Sequence, residues 1–194
     1  MLILASASKA RLELLKSVGI SPDKIISTDI NEKPKKDEKP LDYVLRIALE
    51  KNKAVKKNSS NIVLSADTIV AVGRRILLKP NNIDEASSFL SLLSGRRHRV
   101  HTSICIFYNH KFYQKNITTI LKMKRLSDEE KKSYLKSQEW RGKAGGYSIQ
   151  GAASYFFPFI SGSYSNVVGL PLTETIGLLN GCLLYTSPSP RDLY

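Results

Sequence analysis

Asp67 is the acidic residue whose surroundings are hardest to explain by packing. It lies within residues 62–72, IVLSADTIVAV, and apolar residues continue on both sides of it. A carboxylate inside a strand costs several kcal/mol unless a cation or a metal ion pairs with it. An aspartate that caps a turn at a strand end would give a similar pattern. Because the apolar run resumes directly after Asp67, we favour a catalytic or metal-binding carboxylate.

Lys51 is a cation at a position that packing would give to an apolar residue. The pattern over residues 41–57 predicts a helix on which Val44, Ala48 and Val55 form one stripe, and Lys51 falls within it. A lysine stem can follow such a stripe and place its ammonium in solvent. The alternative is an ammonium directed into a site that binds phosphate. Both interpretations fit the sequence.

Arg11 follows a hydroxyl-rich turn, residues 6–8, at the start of a predicted helix that ends near Gly19. It shares a face of that helix with Leu15 and Val18. The free N–H groups at a helix N-terminus bind anions. The glycines of a phosphate-binding P-loop are absent from this turn, so the anion-binding signal is weak by itself.

A glycine-rich segment, residues 142–151, adds Lys143 and Gln150 to this set. Glycines allow a backbone to approach a ligand closely. Lys79, which precedes Pro80, is by its residue type an ordinary surface lysine. One carboxylate, several cations and a glycine-rich loop together indicate metal-assisted chemistry on a phosphorylated substrate.

The elements that must position these residues alternate between strand and helix patterns, which predicts an α/β class with mixed strand directions. The predicted strands cover residues 2–5, 24–27 and 62–72, with a hairpin of 100–108 and 112–123. The predicted helices begin near Lys9 and cover residues 41–57, 84–94 and 171–180, with a short one after the capping box at Ser127.

Charge is the unusual property of the composition. Lys and Arg number 30 against 17 acidic residues, which gives a net charge of +13. Such a balance attracts polyanions, but the basic residues are spread along the chain, so we favour a solvated surface over a nucleic-acid face. The two cysteines exclude a disulfide scaffold or a four-cysteine zinc site. We expect a cytoplasmic protein without a secretory signal or a membrane span.

The last residues, 182–194, have neither a helical nor a strand period. They resemble a translated cloning scar more than the end of a domain, although a native disordered tail remains an alternative. We therefore expect a single domain over residues 1–181, followed by a non-native or disordered tail.

Four segments of the chain resemble the Maf family of nucleoside triphosphate pyrophosphatases. They are LILASASKARLELL at 2–15, VLSADTIV at 63–70 with LKP at 78–80, LSGRRHRVHT at 93–102, and the segment from WRGKAGGYSIQG to GSYSNVVGLPL at 140–172. The resemblance implies an elongated α/β fold with a mixed sheet, in which two lobes flank a cleft. It also implies a cytoplasmic homodimer that hydrolyses a nucleoside triphosphate, with dTTP, UTP or modified nucleotides as candidates, to the monophosphate and diphosphate.

The resemblance also implies roles for individual residues. Asp67 matches the family's proton acceptor, and Glu32 and Asp67 match the positions around a divalent cation, Mg²⁺ or Mn²⁺. The residues that match the substrate-binding positions are Arg11, Lys51, Thr68, Lys79 and Gln150. Of these, Thr68 and Gln150 match the positions linked to base selection in pyrimidine-preferring members.

One position departs from the family pattern. The family usually has two adjacent arginines where this chain has Ala10 and Arg11, with Lys9 before them. A lysine lacks the planar fork of an arginine, so Lys9 is not an equivalent replacement. The loop also begins Gly142-Lys143 where pyrimidine-type members often have Asp-Lys, so base selection stays open. The alternative function is a basic binding protein without turnover, acting on cell division or on nucleic acid.

Overall fold

The computed structural model describes residues 1–56, 58 and 60–184. The strands are β1 (Leu2–Ala5), β2 (Lys24–Ile25), β3 (Ile62–Val72), β4 (Arg75–Leu77), β5 (Arg97–Tyr108), β6 (Lys111–Lys122) and β7 (Phe159–Ser161). The helices are α1 (Lys9–Ser17), α2 (Pro40–Lys53), α3 (Ile83–Leu93), α4 (Asp128–Lys136), α5 (Tyr164–Val168) and α6 (Leu172–Leu184).

One 7-stranded sheet runs through the molecule, with the order β2-β1-β3-β5-β6-β7, and β4 pairs with β3. β1 is parallel to β2 and to β3, whereas all other pairs are antiparallel. The structure therefore confirms the predicted α/β class with mixed strand directions. It also confirms the hairpin, which turns at Asn109 and His110, both with positive φ.

The pairing of β3 explains where the cleft lies. β5 covers one edge of β3 from Val63 to Ala71. On the other edge β1 pairs as far as Ser65, and β4 begins to pair at Val70. Residues 66–69 therefore have no strand partner on that edge among the described residues, and the two lobes separate at this gap.

Each lobe has its own apolar core. One cluster is built from α3, α4 and the end of β3, and includes the fully buried Trp140 and Phe156. The other lies around β1, α1 and α6, and includes Leu4 and Leu15. Because the cores lie on opposite sides of the gap, the side chains at residues 66–69 are held between two packed bodies.

Two predicted helix ends differ from the structure by four residues each, whereas β2 ends two residues before the predicted strand end and β5 begins three residues before the predicted start. The helix predicted over 41–57 ends at Lys53, and Val55 then turns into a core cluster with β1 and β3. The helix predicted to end near Asn180 continues to Leu184, because Cys182 is apolar enough to pack in the cluster around Leu4. The expected domain end at Gly181 thus falls within α6, and residues 185–194 of the expected tail lie outside the described residues.

In the part of the chain that the structure describes, no helix is long and apolar enough to cross a membrane.

Candidate active site

A cleft of about 490 Å³ opens at the gap between the lobes. Its walls come from the α1 N-terminus, the middle of β3, α2, the glycine-rich segment and residues 167–169. The structure brings every residue of the predicted site to this cleft: Arg11, Glu32, Lys51, Asp67, Thr68, Lys79 and Gln150. The structure shows where these residues lie, and their roles remain predictions.

Asp67 and Lys51 form a buried ion pair at the base of the cleft. Nζ of Lys51 lies 2.7 Å from Oδ1 of Asp67 and 2.9 Å from Oε1 of Glu32. Asp67 is only 6% exposed and Lys51 7%, whereas the side chain of Glu32 is 41% exposed. The ammonium of Lys51 thus does not extend into solvent, which excludes that interpretation of its place on α2; a role in binding phosphate stays a prediction.

Burial raises the pKa of Asp67 above its ordinary value, although the charges of Lys51 and Arg11 act in the opposite direction. A carboxylate whose pKa lies closer to neutrality is a better proton acceptor near pH 7 than an exposed aspartate. The position of Asp67 inside β3 thus explains both why it is costly for folding and how it can act as a base.

Arg11 lines the cleft, and its guanidinium is held in place by hydrogen bonds to the protein. Its Nε donates to the carbonyl of Gly169 at 2.8 Å, Nη1 to Oγ of Ser6 at 3.0 Å, and Nη2 to Oγ1 of Thr68 at 3.1 Å. It is 9% exposed, and burial lowers its pKa. Arg11 therefore fixes three parts of the cleft wall relative to one another, in addition to lining the cleft with positive charge.

Thr68 lies at the centre of a hydrogen-bond network that joins β3 to α5. Its hydroxyl lies 3.0 Å from that of Thr102, which donates to the carbonyl of Asn166 at 3.1 Å. The amide of Asn166 in turn donates to Oγ1 of Thr119. Because the Thr68 hydroxyl also bonds to Arg11, its orientation is set by the protein before any ligand arrives.

The glycine-rich segment closes the other side of the cleft. Gly145 has φ 71°, and a Cβ there would lie 2.7 Å from Cγ2 of Val70, so only glycine lets the segment lie against β3. Its N–H donates to the carbonyl of Leu78 at 3.1 Å, next to Lys79. Gln150 is exposed at the cleft, where its amide can reach a ligand.

The segment is anchored from behind by aromatic residues. The hydroxyl of Tyr147 lies 2.9 Å from Nε2 of His98, and that of Tyr134 accepts from the N–H of Ser148 at 2.9 Å. His98 is 2% exposed, and burial lowers its pKa to about 4. His98 therefore helps to hold Tyr147 in place.

Several residues of the cleft were not predicted from the sequence. Ser6 was visible only as part of a hydroxyl-rich turn. Gly169 carried no local signal because it contributes through a tertiary hydrogen bond, and the same holds for Thr102, which is buried behind Thr68. Arg141 also lines the cleft without having been predicted, whereas Lys9, Ala10 and Lys143, which line it too, were noted in the sequence. Among the described residues no group of three or more His, Cys, Asp or Glu side chains could hold a metal ion by itself.

Comparison with known proteins agrees with this geometry. The sequence model of the family described as Maf-like protein matches residues 1–182. The dTTP/UTP pyrophosphatase of Roseobacter denitrificans is 53% identical over 92% of this chain and 95% of its own length. Proteins with the same description from Cereibacter sphaeroides and from Wolbachia of Drosophila simulans are each 52% identical over 92% of this chain, and over 93% and 92% of their own lengths.

The solved structure of the Staphylococcus aureus Ham1 protein aligns with 93% of this chain and with 98% of its own chain. The TM-score is 0.43 and the sequence identity is 11%, so the likeness is distant. The family match and the curated relatives confirm the resemblance found in the sequence. This chain belongs to the Maf-like protein family.

Proposed function

We propose that this protein is a nucleoside triphosphate pyrophosphatase that converts dTTP and UTP to the monophosphate and diphosphate. The observation that carries this function is the buried pair of Asp67 and Lys51 at the base of a cation-lined cleft. Relatives described as dTTP/UTP pyrophosphatases are 52% and 53% identical over 92% of this chain, which supports the choice of substrate.

The charges of the cleft suit a polyphosphate. Among the described residues, two carboxylates line it, those of Glu32 and Asp67, against six basic side chains: Lys9, Arg11, Lys51, Lys79, Arg141 and Lys143. A triphosphate needs such cations to screen its oxygens and to stabilise the departing pyrophosphate. A cleft with this balance favours a highly charged anion over a neutral substrate.

The two carboxylates also fit a divalent cation, Mg²⁺ or Mn²⁺. They already converge on one positive centre, since an oxygen of each lies within 2.9 Å of Nζ of Lys51. Mg²⁺ is usually held by one or two carboxylates together with substrate phosphates, so a larger protein cluster is not required. Glu32 and Asp67 would hold the cation, which when bound neutralises phosphate charge and polarises the reacting phosphorus.

Asp67 is the group that activates water. Its carboxylate accepts a proton from a water molecule whose oxygen forms a bond to phosphorus, while the bond from phosphorus to the leaving phosphate oxygen breaks. Attack on the α- or the β-phosphorus gives the same two products. Lys51, Lys79 and Arg11 stabilise the negative charge that remains on the phosphates.

Gln150 is the better candidate of the two proposed base readers. Its amide offers both a donor and an acceptor to the edge of a pyrimidine, and it is exposed at the cleft. The hydroxyl of Thr68 is already bonded to Arg11 and lies 3.0 Å from that of Thr102, so it shapes the pocket more than it reads the base. We further propose a cytoplasmic homodimer, in keeping with the family resemblance.

The test is release of pyrophosphate from dTTP, UTP, CTP, GTP and ATP, measured as phosphate after adding an inorganic pyrophosphatase. We expect turnover of dTTP and UTP with Mg²⁺ or Mn²⁺. In EDTA, which also inactivates the added pyrophosphatase, the nucleoside monophosphate is measured directly by chromatography, and none should form. A binding protein without turnover would release no phosphate from any of the five, and that result would overturn the proposed function.

A further inference from the structure

The segment that carries Glu32 has no helix or strand of its own. It lies between β2 and α2, and residues 26–39 are irregular apart from a turn at 36–37. A carboxylate on such a segment would be expected to move freely, yet Glu32 is held 2.9 Å from Lys51. The contacts of the segment with α2 explain how it is held.

Arg46 on α2 holds the end of this segment through a two-pronged ion pair. Its Nε and Nη2 donate to the two oxygens of Glu38 at 2.6 and 2.7 Å, and Nη2 also donates to the carbonyl of Lys33 at 3.2 Å. The side chains of Arg46 and Glu38 are only 15% and 8% exposed. A parallel pair of charge-assisted hydrogen bonds fixes orientation as well as distance.

Tyr43, one turn earlier on α2, holds the segment at Glu32 itself. Its hydroxyl donates to the backbone carbonyl of Glu32 at 2.7 Å, and the guanidinium of Arg46 lies 5.5 Å from the centre of its ring. The i,i+3 spacing places Tyr43 and Arg46 on neighbouring positions of one helix face. The same helix supplies Lys51, which binds the carboxylate of Glu32.

We propose that Arg46, with Glu38 and Tyr43, is a positioning residue for Glu32. The three side chains fix the backbone at Glu32 and on its C-terminal side, so that its carboxylate faces Asp67 before a divalent cation binds. Loss of the contacts would add the entropy of ordering the segment to the cost of binding that cation. This inference rests on the proposed function, in which Glu32 holds the cation.

The experiment compares Arg46→Met, Glu38→Gln and Tyr43→Phe with wild type, and with Arg74→Met as a control that removes an exposed arginine from the β3–β4 turn. Mn²⁺ binding is measured by electron paramagnetic resonance with a non-hydrolysable nucleotide analogue present. Hydrogen exchange of the amides of residues 31–39 and the Mg²⁺ dependence of pyrophosphate release are measured on the same proteins.

We expect the Kd for Mn²⁺ to rise about tenfold in Arg46→Met, as is typical of losing a partner that orients a metal ligand. Exchange over 31–39 should become faster, and kcat at saturating Mg²⁺ should stay within about threefold of wild type. Tyr43→Phe removes one hydroxyl only and should give a smaller change in the same direction. Arg74→Met should match wild type.

An unchanged Mn²⁺ Kd in all three variants would overturn the proposal. So would a fall in kcat at saturating Mg²⁺ with an unchanged Kd, because that is what a merely structural role gives. If Arg46→Met does not fold, Glu38→Gln and Tyr43→Phe decide. If wild type hydrolyses no nucleotide but these variants still bind Mn²⁺ more weakly, the proposed function fails and the positioning role stands.

Discussion

Oδ1 of Asp67 lies 2.7 Å from Nζ of Lys51, and neither residue is more than 7% exposed. Each charge is tolerated at this depth because the other is present. The pair also has a third member, since Lys51 contacts Glu32 as well. Lys51 therefore keeps a carboxylate partner when Asp67 is changed, whereas Asp67 loses its ammonium when Lys51 is changed.

Asp67→Asn should lower kcat/KM for dTTP by at least about 10²-fold, the scale of losing a general base. The amide has nearly the same shape but cannot accept the proton from water. Pyrophosphate release measures the effect, and circular dichroism should show an unchanged fold. Full activity in this variant would refute the assignment of Asp67 as the base.

Lys51→Met should destabilise the protein more than Asp67→Asn does. At neutral pH it leaves the buried carboxylate of Asp67 without its ammonium, which costs about 3 kcal/mol or more when a buried ion pair is broken. Chemical denaturation of the two variants measures the difference in the free energy of unfolding. The difference should shrink as the pH is lowered, because a protonated Asp67 no longer needs a cation; a constant difference would contradict this account.

Residues that break a local pattern were predictable from the sequence. Asp67 interrupts a strand, Lys51 interrupts a helix stripe and Arg11 lies at an apolar helix position, and the structure brings all three to one cleft. Glu32 and Lys79 lie in irregular segments, where no pattern exists to be broken. Only the family resemblance pointed to them.

Contacts between distant parts of the chain were beyond local reasoning. Arg46 lies on an amphipathic helix where a basic residue is ordinary, so its pairing with Glu38 had no signal. The open edge of β3 arises because β1 and β4 share it, which depends on how far each short strand pairs. The composition of β3 alone does not reveal that gap.

Deletion of residues after Gly181 should lower Tm more than deletion after Leu184. The shorter protein loses Cys182, which is 4% exposed and packs beside α1 and β1, together with the last turn of α6. A loss of roughly 1 kcal/mol corresponds to a fall of about 2–4 °C for a protein of this size. Equal Tm values for the two truncations would show that the end of α6 contributes nothing.

Ala10→Arg should raise kcat/KM for dTTP and UTP relative to GTP and ATP. Ala10 lines the cleft beside Lys9, and an arginine there adds a forked donor that a lysine does not provide. A gain of about tenfold in the pyrimidine-to-purine ratio is the scale of one charged hydrogen bond, about 1.5 kcal/mol. Five nucleotides compared in wild type and variant test this. No change in the ratio would exclude position 10 from base selection.

His98 should make the protein less stable as the pH falls below neutrality. Burial lowers its pKa from 6.5 to about 4 in the folded state, so the unfolded chain binds the proton more readily between these values. Stability is then fully present above the unfolded pKa and is lost as the pH falls towards about 4, by up to about 3 kcal/mol at 1.36 kcal/mol per unit.

His98→Gln separates this contribution from that of the acidic residues. Glutamine can still bond to the hydroxyl of Tyr147, which lies 2.9 Å from the imidazole, but it does not titrate. The free energy of unfolding of both proteins is measured by denaturation at about pH 7 and about pH 5. Between these two values wild type should lose more stability than the variant does. If the difference between the two proteins is the same at both values, the buried imidazole does not resist protonation. The anchor that holds Tyr147 would then tolerate a charge.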